Sequence, residues 1–107
     1  MKNKKLLKRT SILLLALVLS GIFSPVKAYI YDMKADGGNW SFGVGTFLNL
    51  WFRQESKYYH PTKKHYANAM MNNKYSGRVY AAKGKYANAY TQRYFGGWKS
   101  NRSYYGF

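Results

Sequence analysis

Few side chains in this sequence could take part in catalysis. The 107 residues include two histidines, His60 and His65, three acidic residues and no cysteine. Thiolate zinc sites are therefore excluded, and three carboxylates leave little for acid–base catalysis or for a Mg²⁺ or Ca²⁺ site. The histidines are five positions apart, so on one strand they would point to opposite faces, and only a turn at Pro61 would bring them together. No serine has a Gly-x-Ser-x-Gly setting. We expect no catalytic residue, no metal and no cofactor, and interpret the chain as a binding protein rather than an enzyme.

Basic and aromatic side chains dominate instead. Lys and Arg number 18 against 3 acidic residues, which gives a formal charge of +15, and 20% of the residues are aromatic. Between Lys57 and Tyr105 the basic residues are interleaved with tyrosines. The pattern has three interpretations: a track for single-stranded nucleic acid with bases stacked on the rings, a surface for anionic lipid headgroups or envelope phosphates, or a charge that only keeps the protein soluble.

The N-terminal segment discriminates between these partners. A basic start is followed by an apolar run from Ile12 to Phe23, a helix-breaking Pro25 and small residues at Val26 and Ala28, a pattern typical of a secretory signal peptide. The apolar run has 12 residues, whereas a membrane span needs about 20. The length disfavours the alternative, an uncleaved N-terminal anchor.

We predict cleavage between Ala28 and Tyr29, so that residues 1–28 form a signal helix and residues 29–107 form the mature domain. The mature protein would be secreted and would carry 12 basic residues against 3 acidic ones, a net charge of +9. An exported bacterial protein meets envelope phosphate far more often than nucleic acid. We therefore expect no nucleic-acid partner.

The mature segment predicts an all-β fold. Apolar and polar residues alternate with a period of two, and Gly, Asn and Pro separate the alternating stretches at roughly ten-residue spacing, which favours a small antiparallel sandwich or barrel. Residues 50–59 are ambiguous between a strand and a helical turn. A domain this small without a disulfide needs bulky side chains or self-association, so we expect an aromatic core and a homodimer. One face of the first long strand carries Trp40, Phe42, Val44, Thr46 and Leu48.

Local patterns refine this prediction. Asp36-Gly37-Gly38-Asn39 and Asn72-Asn73 are typical turn sequences. Tyr66-Ala67-Asn68-Ala69 recurs twenty residues later as Tyr86-Ala87-Asn88-Ala89. Two copies are too few for a solenoid, and the repeat indicates two similar strands with small residues under a facing sheet.

Four segments of the mature chain resemble the lactococcin 972 family of bacteriocins in order and spacing. They are Gly37-Gly38-x-Trp40-x-x-Gly43, Ser56-x-Tyr58-Tyr59-His60-Pro61-x-Lys63-x-His65-x-Ala67, Ala81-Ala82-x-Gly84-x-x-Ala87-x-Ala89 and Ser103-Tyr104-Tyr105-x-Phe107. The resemblance implies a β-sandwich of two three-stranded antiparallel sheets and a homodimer. It also implies binding of the cell-wall precursor lipid II or another anionic envelope component, a block of septum formation in related Gram-positive bacteria without pores, and an immunity protein or transporter in the producer. The aromatic-rich stretch Phe47–Phe52 departs from the family pattern.

The second segment supplies the candidate ligand-binding residues. Lys and Arg would pair with the pyrophosphate of the precursor, and Tyr and Trp rings would stack on sugars or lie at headgroup level. Trp40 heads an apolar face, which favours the core over binding. The candidates are Tyr58, Tyr59, His60, Lys63, Lys64, His65 and Trp40.

Two other functions fit parts of the sequence. A structural or adhesion protein of the envelope or biofilm matrix would share the charge and the tyrosines. A membrane-permeabilising peptide is disfavoured, because the mature chain has no long amphipathic helix pattern.

The first testable prediction concerns the N-terminus. N-terminal sequencing or intact-mass measurement of the exported protein should give a chain that starts at Tyr29. Replacing the small residue at the cleavage site, Ala28→Arg, should block or shift this cut. An exported wild-type protein that keeps residues 1–28 and stays with the cell membrane would instead establish the anchor.

Overall fold

The computed structural model describes residues 28–107, and this part of the chain is all-β. The predicted signal helix lies outside the described residues apart from Ala28, so it stays a prediction. The strands, numbered in chain order, are β1 Tyr29–Ala35, β2 Gly38–Phe47, β3 Trp51–Tyr59, β4 His65–Met71, β5 Lys74–Tyr75, β6 Val79–Ala81, β7 Tyr86–Tyr90, β8 Tyr94–Phe95 and β9 Asn101–Gly106.

Two antiparallel sheets pack face to face, which confirms the predicted β-sandwich. Sheet I has the order β1-β2-β3-β7, and β8 pairs with another part of β3. Sheet II has the order β9-β4-β5, and β6 pairs with the other end of β4. Sheet II is therefore three strands wide, as the family resemblance implies. Sheet I is four strands wide, because β7 and β8 pair with two successive parts of the free edge of β3.

Tight two-residue turns connect neighbouring strands at two places where the sequence predicts them. Asp36 and Gly37 have φ of 48° and 85°, and Asn72 and Asn73 have φ of 53° and 64°. Each pair joins two strands whose flanking residues face each other, the geometry of a two-residue type I′ hairpin.

The hairpin between β2 and β3 differs from the prediction. Leu48 was expected to continue the apolar face of β2, but this strand ends at Phe47 and Leu48 lies in the turn with φ of 57°. The Leu50 amide donates to the Phe47 carbonyl at 3.2 Å and closes the turn before Leu48 can pair. The ambiguous residues that follow form β3 from Trp51 onward, because β2 on one side and β7 and β8 on the other satisfy their backbone groups.

Alanines hold the two sheets close together. Ala67 and Ala69 of β4 and Ala87 and Ala89 of β7 are all buried in one cluster, which confirms the predicted pair of similar strands with small inward residues. Tyr58 of β3 is also fully buried there. We call these four alanines the alanine seam.

The expected aromatic core is wrong for most of the rings. Among the described residues only Tyr58 and Phe52 are aromatic and buried, whereas many tyrosines are exposed. Phe52 belongs to a second, smaller cluster with Val44 and Met71. Trp40 and Tyr105 pack against the alanine seam but are only partly buried, and sheet II leaves the inward face of β1 uncovered, so Tyr31 remains exposed.

A polar layer lies between the sheets and explains the position of Trp40. Ser56 is fully buried; its hydroxyl accepts from the Trp40 indole N–H at 3.0 Å and donates to the Tyr104 carbonyl at 2.8 Å. Gln54 donates to the Ser103 hydroxyl at 2.7 Å. These bonds satisfy buried polar groups and join β3 to β9, so Trp40 is half-buried and serves the packing of the sandwich.

The alanine seam generates a stability prediction. Ala89→Leu should lower the free energy of unfolding by about 1–3 kcal/mol, because the extra methylenes have no room between the sheets. Urea unfolding followed by circular dichroism measures the change. The matched control is Asn88→Leu on the neighbouring outward, exposed position, which should change stability much less. Equal losses in the two variants would contradict the close packing of the sheets.

Candidate functional site

The loop between β3 and β4 folds around His60. His60 is buried, and its Nδ1 accepts from the backbone amides of Thr62 and Lys63 at 3.2 and 3.1 Å. Its Nε2 lies 3.1 Å from the Asp36 carbonyl. Since Nδ1 accepts, Nε2 carries the proton and donates to this carbonyl. Both ring nitrogens are therefore engaged in holding the loop to the first hairpin.

Both ring nitrogens of His65 face backbone carbonyl oxygens. The ring is fully buried, with Nδ1 2.8 Å from the Lys63 carbonyl and Nε2 2.7 Å from the Lys85 carbonyl. Carbonyl oxygens only accept, so a protonated ring nitrogen donates to the carbonyl that it faces. His65 thus ties the loop before β4 to the loop before β7.

The two histidines do approach each other across Pro61, with ring centroids 6.3 Å apart. All four ring nitrogens face the backbone rather than a shared point. Within residues 28–107 no group of three or more His, Cys, Asp or Glu side chains comes together as metal ligands would. The geometry gives the pair a structural role.

Two tyrosine hydroxyls also donate hydrogen bonds to the first hairpin. The Tyr58 hydroxyl donates to the Ala35 carbonyl at 2.7 Å, and burial, with a smaller effect of the Asp36 charge, raises the pKa of Tyr58. The Tyr105 hydroxyl donates to the Asp36 carboxylate at 2.6 Å. This hydrogen bond is the main reason why the pKa of Tyr105 is raised to about 12. Together with the two histidines these hydroxyls hold the β3–β4 loop and the first hairpin in place, and we call the side chains of Tyr58, His60, His65 and Tyr105 the brace.

The structure separates the predicted site residues into two groups. Tyr58, His60 and His65 point inward and contribute to the brace. Lys63 and Lys64 are exposed on the loop. Direct contact with a ligand can come only from accessible side chains, and the binding role of the two lysines stays a prediction.

The other predicted positions lie apart from the loop. Tyr59 is half-buried on the outer face of sheet I, with its ring 5.3 Å from that of Tyr86. Trp40 stacks on Phe42 at 4.0 Å inside the sandwich. At the predicted cleavage site, Ala28 precedes the first strand and Tyr29 begins it, and the cut itself stays a prediction.

A second surface, which the sequence analysis did not single out, lies on the outer face of sheet II. Its rings pair, with Tyr66 5.4 Å from Tyr80 and Tyr75 6.2 Å from Tyr104. An open cavity of about 290 Å³ lies on this face and is lined by residues that include Tyr66, Tyr75 and Tyr104. We call this surface the tyrosine face, and it comprises Tyr66, Asn68, Tyr75, Arg78, Tyr80, Arg102 and Tyr104.

Cations lie directly over these rings. The Arg78 guanidinium carbon is 4.3 Å from the Tyr66 ring centroid, and Arg78 Nη1 donates to the Tyr80 hydroxyl at 3.4 Å. Lys64 Nζ is 5.3 Å from the Tyr80 ring. Lys64 thereby connects the loop to the tyrosine face. Next to it, a groove of about 410 Å³ is lined by Lys64 and residues 80–83.

The tyrosine face has no acidic residue. The three acids of the chain are Asp32 in β1, Asp36 in the first hairpin and Glu55 in β3, all belonging to sheet I. Glu55 contacts Arg53 at 3.1 Å and Lys57 at 3.9 Å on that sheet. The cations of sheet II therefore lack carboxylate partners and can attract anions. The outward positions of the alternation in β4 and β9 were the sequence signal for this face.

Comparison with known proteins gives one family. A family model described as Bacteriocin (Lactococcin_972) matches residues 36–105. This range contains nearly all of the four segments on which the resemblance rests. No curated protein and no solved structure matches the chain.

The brace around Asp36 predicts a pH dependence. Because the pKa of Tyr105 is raised from 10.0 to about 12 in the folded protein, the folded state holds this proton more tightly than the unfolded state. The resulting stabilisation is fully present below pH about 10 and is lost as the pH rises towards about 12. Urea unfolding at pH 8 to 12 should show the loss.

The matched variant is Asp36→Asn, which keeps the turn preference and removes the charge. Absorbance at 295 nm should then show Tyr105 ionising at lower pH than in the wild type, and Tyr105→Phe should remove that titrating group. An unchanged tyrosine titration in Asp36→Asn would contradict the hydrogen bond.

Proposed function

Since the chain belongs to the Lactococcin_972 family of bacteriocins, we propose that it is a secreted antibacterial protein that binds a phosphate-bearing precursor of the cell wall. The proposed precursor is lipid II, and the proposed targets are related Gram-positive bacteria. Binding would withhold the precursor from wall synthesis and block formation of the septum. The protein would act by binding, without a chemical step of its own.

The single observation that supports this site is the position of cations over tyrosine rings on an acid-free sheet face. A guanidinium offers two parallel N–H donors to a phosphate, and Arg78 is exposed. Lys64 would add a second charge at the edge of the face. The pyrophosphate of the precursor would be bound between these two side chains.

The rings account for selectivity beyond charge. Tyr66 and Tyr80 form a tilted pair, and flat aromatic surfaces of this kind pack against the apolar faces of sugars. Tyr75 and Tyr104 line the adjoining cavity with Asn68. Charge would bring the protein to the envelope, and the rings would distinguish a glycosylated pyrophosphate from a plain anionic lipid.

The site predicts the effect of removing Arg78. Arg78→Ala should weaken binding to vesicles that contain lipid II by roughly tenfold or more, since a hydrogen bond to a charged group contributes about 1.5–3 kcal/mol. Growth inhibition of a sensitive strain should fall in parallel. The charge-matched control is Lys34→Ala on β1 of sheet I, which should lose far less. Equal losses in both variants would mean that net charge, not this face, governs binding.

The matrix or adhesion alternative predicts a different outcome. Such a protein would sediment with purified walls whether or not precursor is present and would leave growth of every related strain unchanged. Binding to lipid II that disappears together with binding to all anionic lipids at about 0.5 M salt would also contradict the proposal, because charge alone would then drive it.

A further inference from the structure

One end of sheet I carries apolar side chains that the proposed function does not use. The β2–β3 hairpin and the neighbouring strand β8 expose them together. Leu48 is 71% exposed and Phe95 is 66% exposed. We call this cluster the apolar tip, and it comprises Phe47, Leu48, Leu50, Trp51 and Phe95.

A backbone hydrogen bond and a ring contact join the two parts of the apolar tip. The Gly96 amide donates to the Leu50 carbonyl at 2.7 Å, which fastens the turn after β8 to the hairpin. The Trp51 and Phe95 rings meet edge to face at 5.2 Å. These side chains therefore form one continuous surface rather than scattered exposed residues.

Leu48 is the least expected residue of this surface. Its φ of 57° lies in the left-handed region, where Gly or Asn is favoured and a bulky side chain is strained. A glycine there would relieve the strain and remove an exposed apolar side chain. Neither folding nor solubility explains the leucine, and such strain is typical of sites with a function.

Cations without acidic partners flank the apolar tip. Arg93 is half-buried, with its guanidinium carbon 5.5 Å from the Phe47 ring and a buried Nη1 that has no hydrogen-bond partner among residues 28–107. Lys99 lines a groove with Phe95. No ion pair of the described part involves either cation, and the acid on β3, Glu55, is already paired with Arg53.

We propose that the apolar tip inserts into the interface of an anionic phospholipid bilayer. Leu48 and Leu50 enter the acyl boundary, and the rings of Trp51 and Phe95 lie at headgroup level. The exposed Lys99 contacts the lipid phosphates behind them, and the half-buried Arg93 adds its positive charge. In this proposal the protein lies on the bilayer, because a surface of this size reaches only the interface.

A second copy of the chain fits the apolar tip less well. A symmetric contact places the same patch of both copies against itself. Arg93 and Lys99 would then face their own copies, and like charges would repel. An anionic bilayer offers both the apolar interior and the complementary charge.

The test uses the protein 29–107 and vesicles of phosphatidylcholine and phosphatidylglycerol that contain no wall precursor. Leu48→Gly combined with Leu50→Ser should weaken vesicle binding by about tenfold or more, because two apolar side chains no longer leave water. Brominated lipids should quench wild-type tryptophan fluorescence, and Trp51→Phe should remove most of this quenching. Ile30→Ser is the matched control, since Ile30 is exposed on β1, where it pairs with Gly43 rather than with a residue of the apolar tip, and it should bind like the wild type.

Two results would overturn the inference: the double variant binds these vesicles as the wild type does, or it changes only self-association in lipid-free buffer. Circular dichroism checks the fold of each variant, and glycine at position 48 suits the observed φ. Vesicles with and without lipid II keep the two proposals apart. A protein that binds both kinds equally contradicts the precursor site, while the loss in the double variant still supports the apolar tip.

Discussion

The close approach of the two sheets is the constraint on which the rest of this structure depends. The chain has no cysteine, so packing and hydrogen bonds must hold the sandwich together without a disulfide. The alanine seam provides this packing with the smallest apolar side chains that still shield the backbone. In a strand the neighbour of an inward residue points outward, and the neighbours of these alanines include Tyr66, Tyr86 and Tyr90. The narrow core therefore places tyrosines on the surfaces of both sheets.

The distribution of charge follows from how few acids the chain has. Glu55 neutralises cations on sheet I, and Asp36 is occupied by the Tyr105 hydroxyl. The third acid, Asp32, lies on β1 of sheet I. The strands of sheet II therefore carry no carboxylate, and the mutual repulsion of their cations opposes folding. A surplus of this kind is useful when a polyanion or an anionic surface is the partner. The tyrosine face and the apolar tip both combine such cations with exposed rings, but the first has polar tyrosines and the second has leucine, phenylalanine and tryptophan.

Local rules predicted much of the fold, and pairing decided the rest. The hairpins at Asp36-Gly37 and Asn72-Asn73 and the alternation in β4 follow from turn chemistry and period two. Leu48 could not be placed, because alternation does not say where a strand ends and leucine is not a turn residue. Period two also assigns side chains to faces without saying which face another sheet covers. For this reason the burial of Tyr58 was not predicted, and the tyrosine face was not recognised.

The segment from Tyr58 to His65 illustrates why a motif does not by itself identify a binding site. Its inward side chains, Tyr58, His60 and His65, bond to backbone carbonyls and amides of three different loops or strands. The exposed lysines between them owe their positions to these bonds, since Lys63 is held at both its amide and its carbonyl. Replacing either histidine would disturb the loop that carries the lysines. Loss of activity in a histidine variant would therefore report on the brace, and only substitutions of the exposed side chains address recognition.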